Sequence, residues 1–223
     1  MKAPAFFFDM DGTIIDSRAD LAATVNHTRR DLGLPEISQE AVLACVGQGA
    51  KYLLAHAVPE AFEGADAAVP PREETVERLW GIFRSHYAEH MLERCALYPG
   101  VEETLRELAR RGCPLGVNTS KPNFATKAIL EHFGLDGLFG AAVIAGGDCE
   151  EKKPSPKPLR ACAARLGHVL SSDDWMVGDS WTDLDCAANA GVRGAFCAFG
   201  FGTLGSSAYA ARLERFSDLL RLV

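Results

Sequence analysis

Short apolar runs separated by helix-like segments constrain the fold of this chain more than any other feature. The runs, each bounded by glycine, proline or aspartate, are Ala5–Phe8, Leu115–Val117, Ala141–Ala145, Trp175–Val177 and Ala195–Ala198. Helical periodicity occupies the spaces between the later runs, at Val101–Arg111, Phe124–Phe133, Pro156–Leu166 and Thr182–Ala190. Alternating strands and helices predict an α/β fold with a parallel sheet and helices on both of its faces. Ligands of such sheets bind outside the carboxyl ends of the strands.

The segment between the first two runs has a different character. It carries helical periodicity and no strand-like run, near Ala19–Leu32, Gln39–Cys45, Ala50–Val58 and Glu73–Leu92. A crossover of about 80 residues is far longer than the usual connection between strands. We therefore predict an all-helical domain of residues 16–95, inserted into a core domain of residues 1–15 and 96–223.

Two aspartates follow the first apolar run directly, in the sequence Asp9-Met10-Asp11-Gly12-Thr13. Side chains alternate along a strand, so we expect the two carboxylates to point the same way. Two like charges held so close repel each other unless a cation lies between them, and Mg²⁺ is the usual oxygen-bound ion. The alternative interpretation is an ordinary Asp-Gly turn after a strand.

Three later strand ends also carry polar side chains. Thr119 lies in a hydroxyl-rich turn that could bind phosphate oxygens, and Lys153 is a fixed positive charge before a proline-started helix. Asp179 and Asp183 would share one face of a helix that starts at Thr182. Taken singly, these residues could be helix caps or solvated charges. Their joint occurrence at strand ends of one sheet favours a functional site.

Composition excludes several classes of protein. The net charge of −7 over 223 residues argues against a general nucleic-acid or anionic-membrane surface. No apolar stretch approaches the length of a membrane span, and the run before Asp9 is too short for a signal peptide. The seven cysteines lack a CxxC pair, so we expect reduced core thiols in a cytoplasmic protein. The six histidines show no metal-binding spacing, and we expect His86 and His90 on a helix surface.

Taken together, these segments resemble the haloacid dehalogenase superfamily, and within it the phosphoglycolate phosphatase-like branch with a helical cap. The matching residues span nearly the whole chain and are Phe8–Thr13 with Asp16 and Ser17, Val46–Gly49, Tyr98–Val101, Thr119, Lys153 with Pro154, and Gly178 with Asp179 and Asp183. The resemblance implies a Rossmann-like core and a cap formed by residues 16–95.

The resemblance also implies a mechanism. Asp9 would attack phosphorus to form an aspartyl-phosphate, and Asp11 would protonate the leaving alcohol and then activate water. Mg²⁺ would be held by Asp9, the backbone carbonyl of Asp11 and Asp179, with Asp183 supporting from nearby. Thr119 and Lys153 would bind the phosphoryl oxygens.

The substrate is less constrained than the reaction. The branch favours hydrolysis of 2-phosphoglycolate, with other sugar or nucleotide phosphates, a sugar-phosphate mutase activity or a catalytically silent binding module as alternatives. Gln48 and Lys51 in the cap are our candidates for substrate contact. The sequence leaves open whether Lys121, Asp148 or Trp181 contributes to the site, and whether the protein is a monomer or a homodimer.

Overall fold

The computed structural model describes residues 3–62 and 73–223, and it divides the chain into one unit of residues 1–16 and 96–223 and another of residues 17–95. The strands are β1 (Phe6–Phe8), β2 (Ile15–Asp16), β3 (Ala96–Leu97), β4 (Leu115–Pro122), β5 (Val143–Gly146), β6 (Trp175–Gly178), β7 (Arg193–Cys197) and β8 (Ala211–Leu213). The α-helices are α1 (Arg18–Asp31), α2 (Gln39–Leu43), α3 (Ala50–Ala57), α4 (Glu73–His90), α5 (Val101–Arg110), α6 (Asn123–His132), α7 (Asp136–Phe139), α8 (Lys157–Arg165) and α9 (Trp181–Ala190). Short 3₁₀ helices cover Pro59–Phe62 and Phe216–Arg221.

The first unit is built on a six-stranded sheet in the order β5-β4-β1-β6-β7-β8, in which every neighbouring pair is parallel. β1 is fully buried between β4 and β6, where Phe8 pairs with Val117 and Val177. A strand buried on both faces has no exposed position for polar residues, which explains its uninterrupted run of phenylalanines.

Helices cover both faces of this sheet. Phe7 points to one face, where it packs with Leu159 of α8 and Cys186 of α9. Phe8 points to the other, where its ring lies 6.2 Å from that of Phe139 and 5.7 Å from that of Phe216. The predicted α/β fold is confirmed.

A short antiparallel ribbon stands apart from the main sheet. In it Ile15 of β2 pairs with Leu97 of β3, and Asp16 pairs with Ala96. Asp16 therefore belongs to a strand of the α/β unit, although we expected it to begin the helical segment. A strand of two residues is too short to show periodicity in the sequence. The pairing also joins residues about 80 positions apart, and local sequence patterns do not reveal contacts at that separation.

The second unit is helical in its described part. The first turn of α1 is tied to the segment after α4, because the buried Asp20 carboxylate accepts hydrogen bonds from the backbone N–H groups of Arg94 and Cys95 at 2.8–3.1 Å. Farther along α1, the buried Arg29 guanidinium donates to both carboxylate oxygens of Glu60. Among the described residues, no helix has the length and apolar character needed to cross a membrane.

Candidate active site

The site residues of the α/β unit follow the strand ends, as the parallel sheet requires. Asp9 comes directly after β1, the central strand, and Asp179 comes directly after its neighbour β6. Thr119 lies in the other neighbour, β4, which continues to Pro122. The segment from Asn118 to Pro122 is therefore extended strand and not the turn that we expected.

Three aspartates form a buried cluster. One carboxylate oxygen each from Asp9, Asp179 and Asp183 lies within 4.8 Å of the other two. Burial raises the pKa of Asp9, against the opposing charge of Lys153. Burial and the negative charges of Asp183 and Asp9 together raise the pKa of Asp179 well above its usual value. Such raised pKa values indicate a cluster of carboxylates with too little positive charge around it.

Lys153 supplies the positive charge that the cluster does contain. Its ammonium is 2.9 Å from Asp9 Oδ2 and 2.5 Å from Asp183 Oδ1. Burial alone would lower the pKa of Lys153, but the two carboxylates, Asp183 foremost, outweigh it and raise that pKa. The lysine is thus a permanent cation in the site and no solvated surface charge.

Asp183 also holds the start of α9. The N-cap residue is Ser180, whose backbone N–H and hydroxyl donate to Asp183 Oδ2 at 3.1 and 2.8 Å. Both oxygens of Asp183 are therefore engaged, one by the cap and one by Lys153. Asp179 precedes the helix, which starts at Trp181, so the two aspartates do not meet through the helical spacing that we expected.

The second aspartate of the Asp9-Met10-Asp11 sequence lies outside the cluster. β1 ends at Phe8, so alternation along a strand does not govern these two side chains. Asp11 Oδ1 instead accepts a hydrogen bond at 2.7 Å from the ammonium of Lys121, whose side chain is only 1% exposed. The two carboxylates are therefore bound to different lysines.

Two glycine-bearing segments pack against Asp179. Gly12 has a φ of +76°, and a Cβ at that position would lie 1.7 Å from Asp179 Oδ2. From the other side, the backbone N–H groups of Phe201 and Gly202 donate to the same oxygen at 2.9 and 2.6 Å. The carboxylate is held by backbone that has been brought unusually close.

Thr119 is buried beside Asp9, to which its hydroxyl is hydrogen-bonded, and its Oγ1 accepts from the backbone N–H of Lys121 at 3.2 Å. The structure thus brings together Asp9, Thr119, Lys153, Asp179 and Asp183. Asp11, two residues after Asp9, is not part of this group and is held by Lys121.

The remaining sequence candidates have other surroundings. In the helical unit the ammonium of Lys51 is paired with the carboxylate of Glu77, and both side chains are largely exposed. In the α/β unit, Asp148 accepts from Asn123 and from the backbone N–H of Ala145, which makes it a loop-stabilising residue. That Gln48 and Lys51 contact the substrate stays a prediction, and the role of Trp181 stays open.

Comparison with known proteins supplies the family. The family model of the haloacid dehalogenase-like hydrolases matches residues 6–197. This range contains the three clustered aspartates Asp9, Asp179 and Asp183, together with Asp11, Thr119 and Lys153. The chain belongs to the haloacid dehalogenase-like hydrolases.

Individual members of this family are similar to this chain over most of their length. The chain is 35% identical over 217 residues to the phosphoglycolate phosphatase of Aquifex aeolicus, covering 97% of this chain and 94% of that one. It is 34% identical over 205 residues to the phosphoglycolate phosphatase of Escherichia coli, covering 87% and 81%. A crystal structure of a protein from Haemophilus somnus, described as a predicted phosphoglycolate phosphatase, superposes with a TM-score of 0.87 at 30% identity, covering 100% and 98%.

These relatives confirm the expected class of activity, a phosphatase acting on a small phosphorylated metabolite. Two features of this hydrolase were missed by sequence reasoning. One is the contact of Lys121 with Asp11, and the other is the support of Asp179 by the Phe201 and Gly202 backbone. The second left a signal in the sequence, because Gly200-Phe201-Gly202 follows a predicted strand end and two glycines there permit close backbone approach.

Proposed function

We propose that this hydrolase removes the phosphoryl group of 2-phosphoglycolate in a Mg²⁺-dependent reaction that passes through an aspartyl-phosphate on Asp9. The observation that carries the proposal is the cluster of Asp9, Asp179 and Asp183 within 4.8 Å of one another, in which Lys153 pairs with Asp9 and Asp183. The names of the Aquifex and Escherichia relatives support the choice of phosphoglycolate.

The charges of the cluster fit a divalent cation. Three carboxylates and one ammonium leave a net charge of −2 when all are ionised, and the raised pKa of Asp9 and of Asp179 reflects that excess. We propose that Asp9, Asp179 and the backbone carbonyl of Asp11 hold Mg²⁺, while Asp183, whose oxygens are engaged by Lys153 and Ser180, supports from nearby. When bound, Mg²⁺ would screen the repulsion between the attacking carboxylate and the phosphate dianion.

The two chemical steps divide between the two aspartates. The Asp9 carboxylate attacks phosphorus, the bond from phosphorus to the ester oxygen breaks, and Asp11 gives its proton to the leaving alkoxide. Asp11 then takes a proton from the water that attacks the aspartyl-phosphate, which frees Asp9 and inorganic phosphate. Lys121 fixes one oxygen of Asp11 at 2.7 Å and so limits the directions in which its carboxyl group can point.

Two residues stabilise the transferring phosphoryl group in this scheme. Lys153 already lies 2.9 Å from Asp9 Oδ2, and an ammonium has three N–H donors, so it can bind a phosphoryl oxygen without leaving the carboxylates. The buried hydroxyl of Thr119 has one hydrogen, which it now donates to Asp9, and it would turn to donate that hydrogen to a phosphoryl oxygen. Both act in a site shielded from water, where such interactions are strengthened. Gln48 and Lys51 remain our candidates for binding the carboxylate end of the substrate.

The test is inorganic phosphate release from 2-phosphoglycolate, beside a panel of sugar and nucleotide monophosphates, with Mg²⁺ and with EDTA. We expect Mg²⁺-dependent turnover that prefers phosphoglycolate and disappears in Asp9→Asn. Asp173→Asn is the matched control, because Asp173 is an exposed aspartate of the same unit whose carboxylate pairs only with Arg193 among the contacts described. Acid-quenched wild-type enzyme should carry one phosphoryl group that is absent from Asp9→Asn.

The outcomes separate the parts of the proposal. Preference for another ester would keep the reaction and replace the substrate. Full activity in EDTA would contradict the metal, and full activity of Asp9→Asn would contradict the intermediate.

The seven free thiols are compatible with the reducing cytoplasm that we propose as the compartment.

A further inference from the structure

Three histidines converge in the helical unit, apart from the carboxylate cluster. His27 lies on α1, while His86 and His90 lie four residues apart on α4 and therefore share one face of that helix. One ring nitrogen from each comes within 4.8 Å of the other two. The His27 ring stands edge-on to both partners, with centroids 5.3 Å from His86 and 4.9 Å from His90. The sequence places His86 and His90 on one face of a helix, but His27 lies 59 residues before His86, and nothing in the spacing joins it to them.

Carboxylates fix the hydrogen positions of two of these rings. His86 Nε2 lies 2.8 Å from Asp31 Oδ2, and His90 Nδ1 lies 2.7 Å from Glu93 Oε1. A carboxylate accepts, so the facing nitrogen carries a hydrogen, and the other nitrogen of each ring is the one that can bind a metal once it has no proton. Metal-binding histidines are oriented in this way by an acidic partner on the far side of the ring.

The third ring, that of His27, lies among positively charged groups. Burial, followed by the charges of His90, His86 and Arg30, lowers the pKa of His27. The charge of Arg30 disfavours a cation here, but its guanidinium pairs with Glu36 at 2.6 Å, which offsets part of that effect.

We propose that His27, His86 and His90 bind a divalent transition-metal ion, with Zn²⁺ as the preferred ion. Imidazole nitrogens suit Zn²⁺, whereas Mg²⁺ prefers oxygen ligands, so the two metals would occupy different sites. The carboxylates of Asp31 and Glu93 would balance the charge of the ion. A fourth ligand could be water or Glu89, whose Oε2 is 3.9 Å from His90 Nε2.

The rings must close slightly around the ion. Zn–N bonds of 2.0–2.1 Å in a tetrahedral site place ligand nitrogens about 3.4 Å apart. The three ring nitrogens now lie within 4.8 Å of one another. The side chains of His86 and His90 are each 23% exposed, so solvent can deliver the ion. Bound metal would cross-link α1 to α4 and stabilise the helical unit.

Calorimetric titration of Zn²⁺ into reduced, metal-stripped enzyme tests the proposal, with saturating Mg²⁺ present to occupy the carboxylate cluster. We expect one site per chain. His86→Gln should weaken it at least about a hundredfold, and Asp31→Asn, which leaves all three rings, about ten- to a hundredfold. His132→Gln is the matched control, because His132 is an exposed histidine of α6.

Two independent readings accompany the titration, and neither depends on phosphatase activity. Co²⁺ should give the visible absorption of a tetrahedral site, lost in His86→Gln and His90→Gln. Zn²⁺ should raise the thermal unfolding midpoint of the wild type more than that of either variant.

Zn²⁺ affinity that is the same in wild type, His86→Gln and His90→Gln would overturn the proposal, as would no binding by folded wild-type enzyme. Circular dichroism establishes that each variant is folded. Should His86→Gln fail to fold, Asp31→Asn decides, because unchanged affinity in that variant contradicts the role of its carboxylate in orienting His86.

Discussion

Gly12→Ala should disable the carboxylate cluster through a single methyl group. The new Cβ would lie 1.7 Å from Asp179 Oδ2, whereas ordinary contact begins at 3.4 Å. The backbone of Gly12 is fixed by a hydrogen bond from its N–H to the carbonyl of Ile15 at 2.9 Å. The carboxylate of Asp179 must therefore move away from Gly12 by about the difference between these two distances.

The size of the effect follows from what the displacement breaks. Asp179 Oδ2 accepts from the backbone N–H groups of Phe201 and Gly202 at 2.9 and 2.6 Å. Hydrogen bonds to a charged group contribute about 1.5–3 kcal/mol each, so losing both costs about 3–6 kcal/mol. The positive φ adds about 1–2 kcal/mol of backbone strain. Misplacement of a reacting group by about 1 Å can lower the rate a hundredfold, and we expect at least that loss of kcat/KM.

Gly191→Ala separates the backbone strain from the clash. Gly191 has a φ of +77°, close to the +76° of Gly12, but nothing lies within 4 Å of its added Cβ. We expect Gly191→Ala to lose only the strain term in urea unfolding and to keep its Mg²⁺ dependence and kcat/KM. Gly12→Ala should lose activity and require far more Mg²⁺ for half-maximal rate. Equal kcat/KM and equal Mg²⁺ requirement in the two variants would refute the assignment of Asp179 as a metal-holding residue.

Two further variants test other parts of the site and the fold. Lys121→Met should lower kcat at least about tenfold with a smaller change in KM, because Asp11 loses the partner that orients it; Lys127→Met, an exposed lysine of α6, should match wild type. Asp174→Asn should lower the free energy of unfolding by about 2–3 kcal/mol in urea, since its carboxylate accepts from Ala5 N–H at 2.8 Å and His168 Nε2 at 2.9 Å, while kcat/KM is unchanged. Burial would raise the pKa of Asp174, but these hydrogen bonds outweigh burial and lower that pKa. The contribution of Asp174 to the free energy of unfolding is therefore fully present above about pH 4 and is lost as the pH falls through the lowered pKa. A difference between wild type and Asp174→Asn that persists in strong acid would contradict this sign.

The sheet and most of its site could be predicted because the signals are local. A strand ending in a polar residue is visible in a few consecutive letters, and parallel pairing brings all such ends to one edge without further information. Asp9, Thr119 and Asp179 were found in this way. Strands without an apolar run of their own were missed, β8 among them, because three residues carrying an exposed Arg212 give no readable period.

Contacts between distant segments of chain could not be predicted. Helical periodicity places His86 and His90 on one face, but it says nothing about which helix covers that face. Only the packing of α1 on α4 brings His27 there. The same limit applies to Lys121, whose partner Asp11 is 110 residues away.

The paired aspartates show where the physical argument from the sequence was incomplete. The expectation of a shared cation assumed that Asp9 and Asp11 alternate along a strand and repel each other. β1 ends at Phe8, however, and the negative charges that raise the pKa of Asp179 come from Asp183 and Asp9. Asp11 is instead bound to Lys121. In the mechanism that we propose, Asp9 is the nucleophile and Asp11 the acid-base group, and each is paired with a lysine of its own. What differs between the two surroundings is the presence of further carboxylates, because Asp9 shares Lys153 with Asp183 and lies close to Asp179, whereas Asp11 lies outside that cluster.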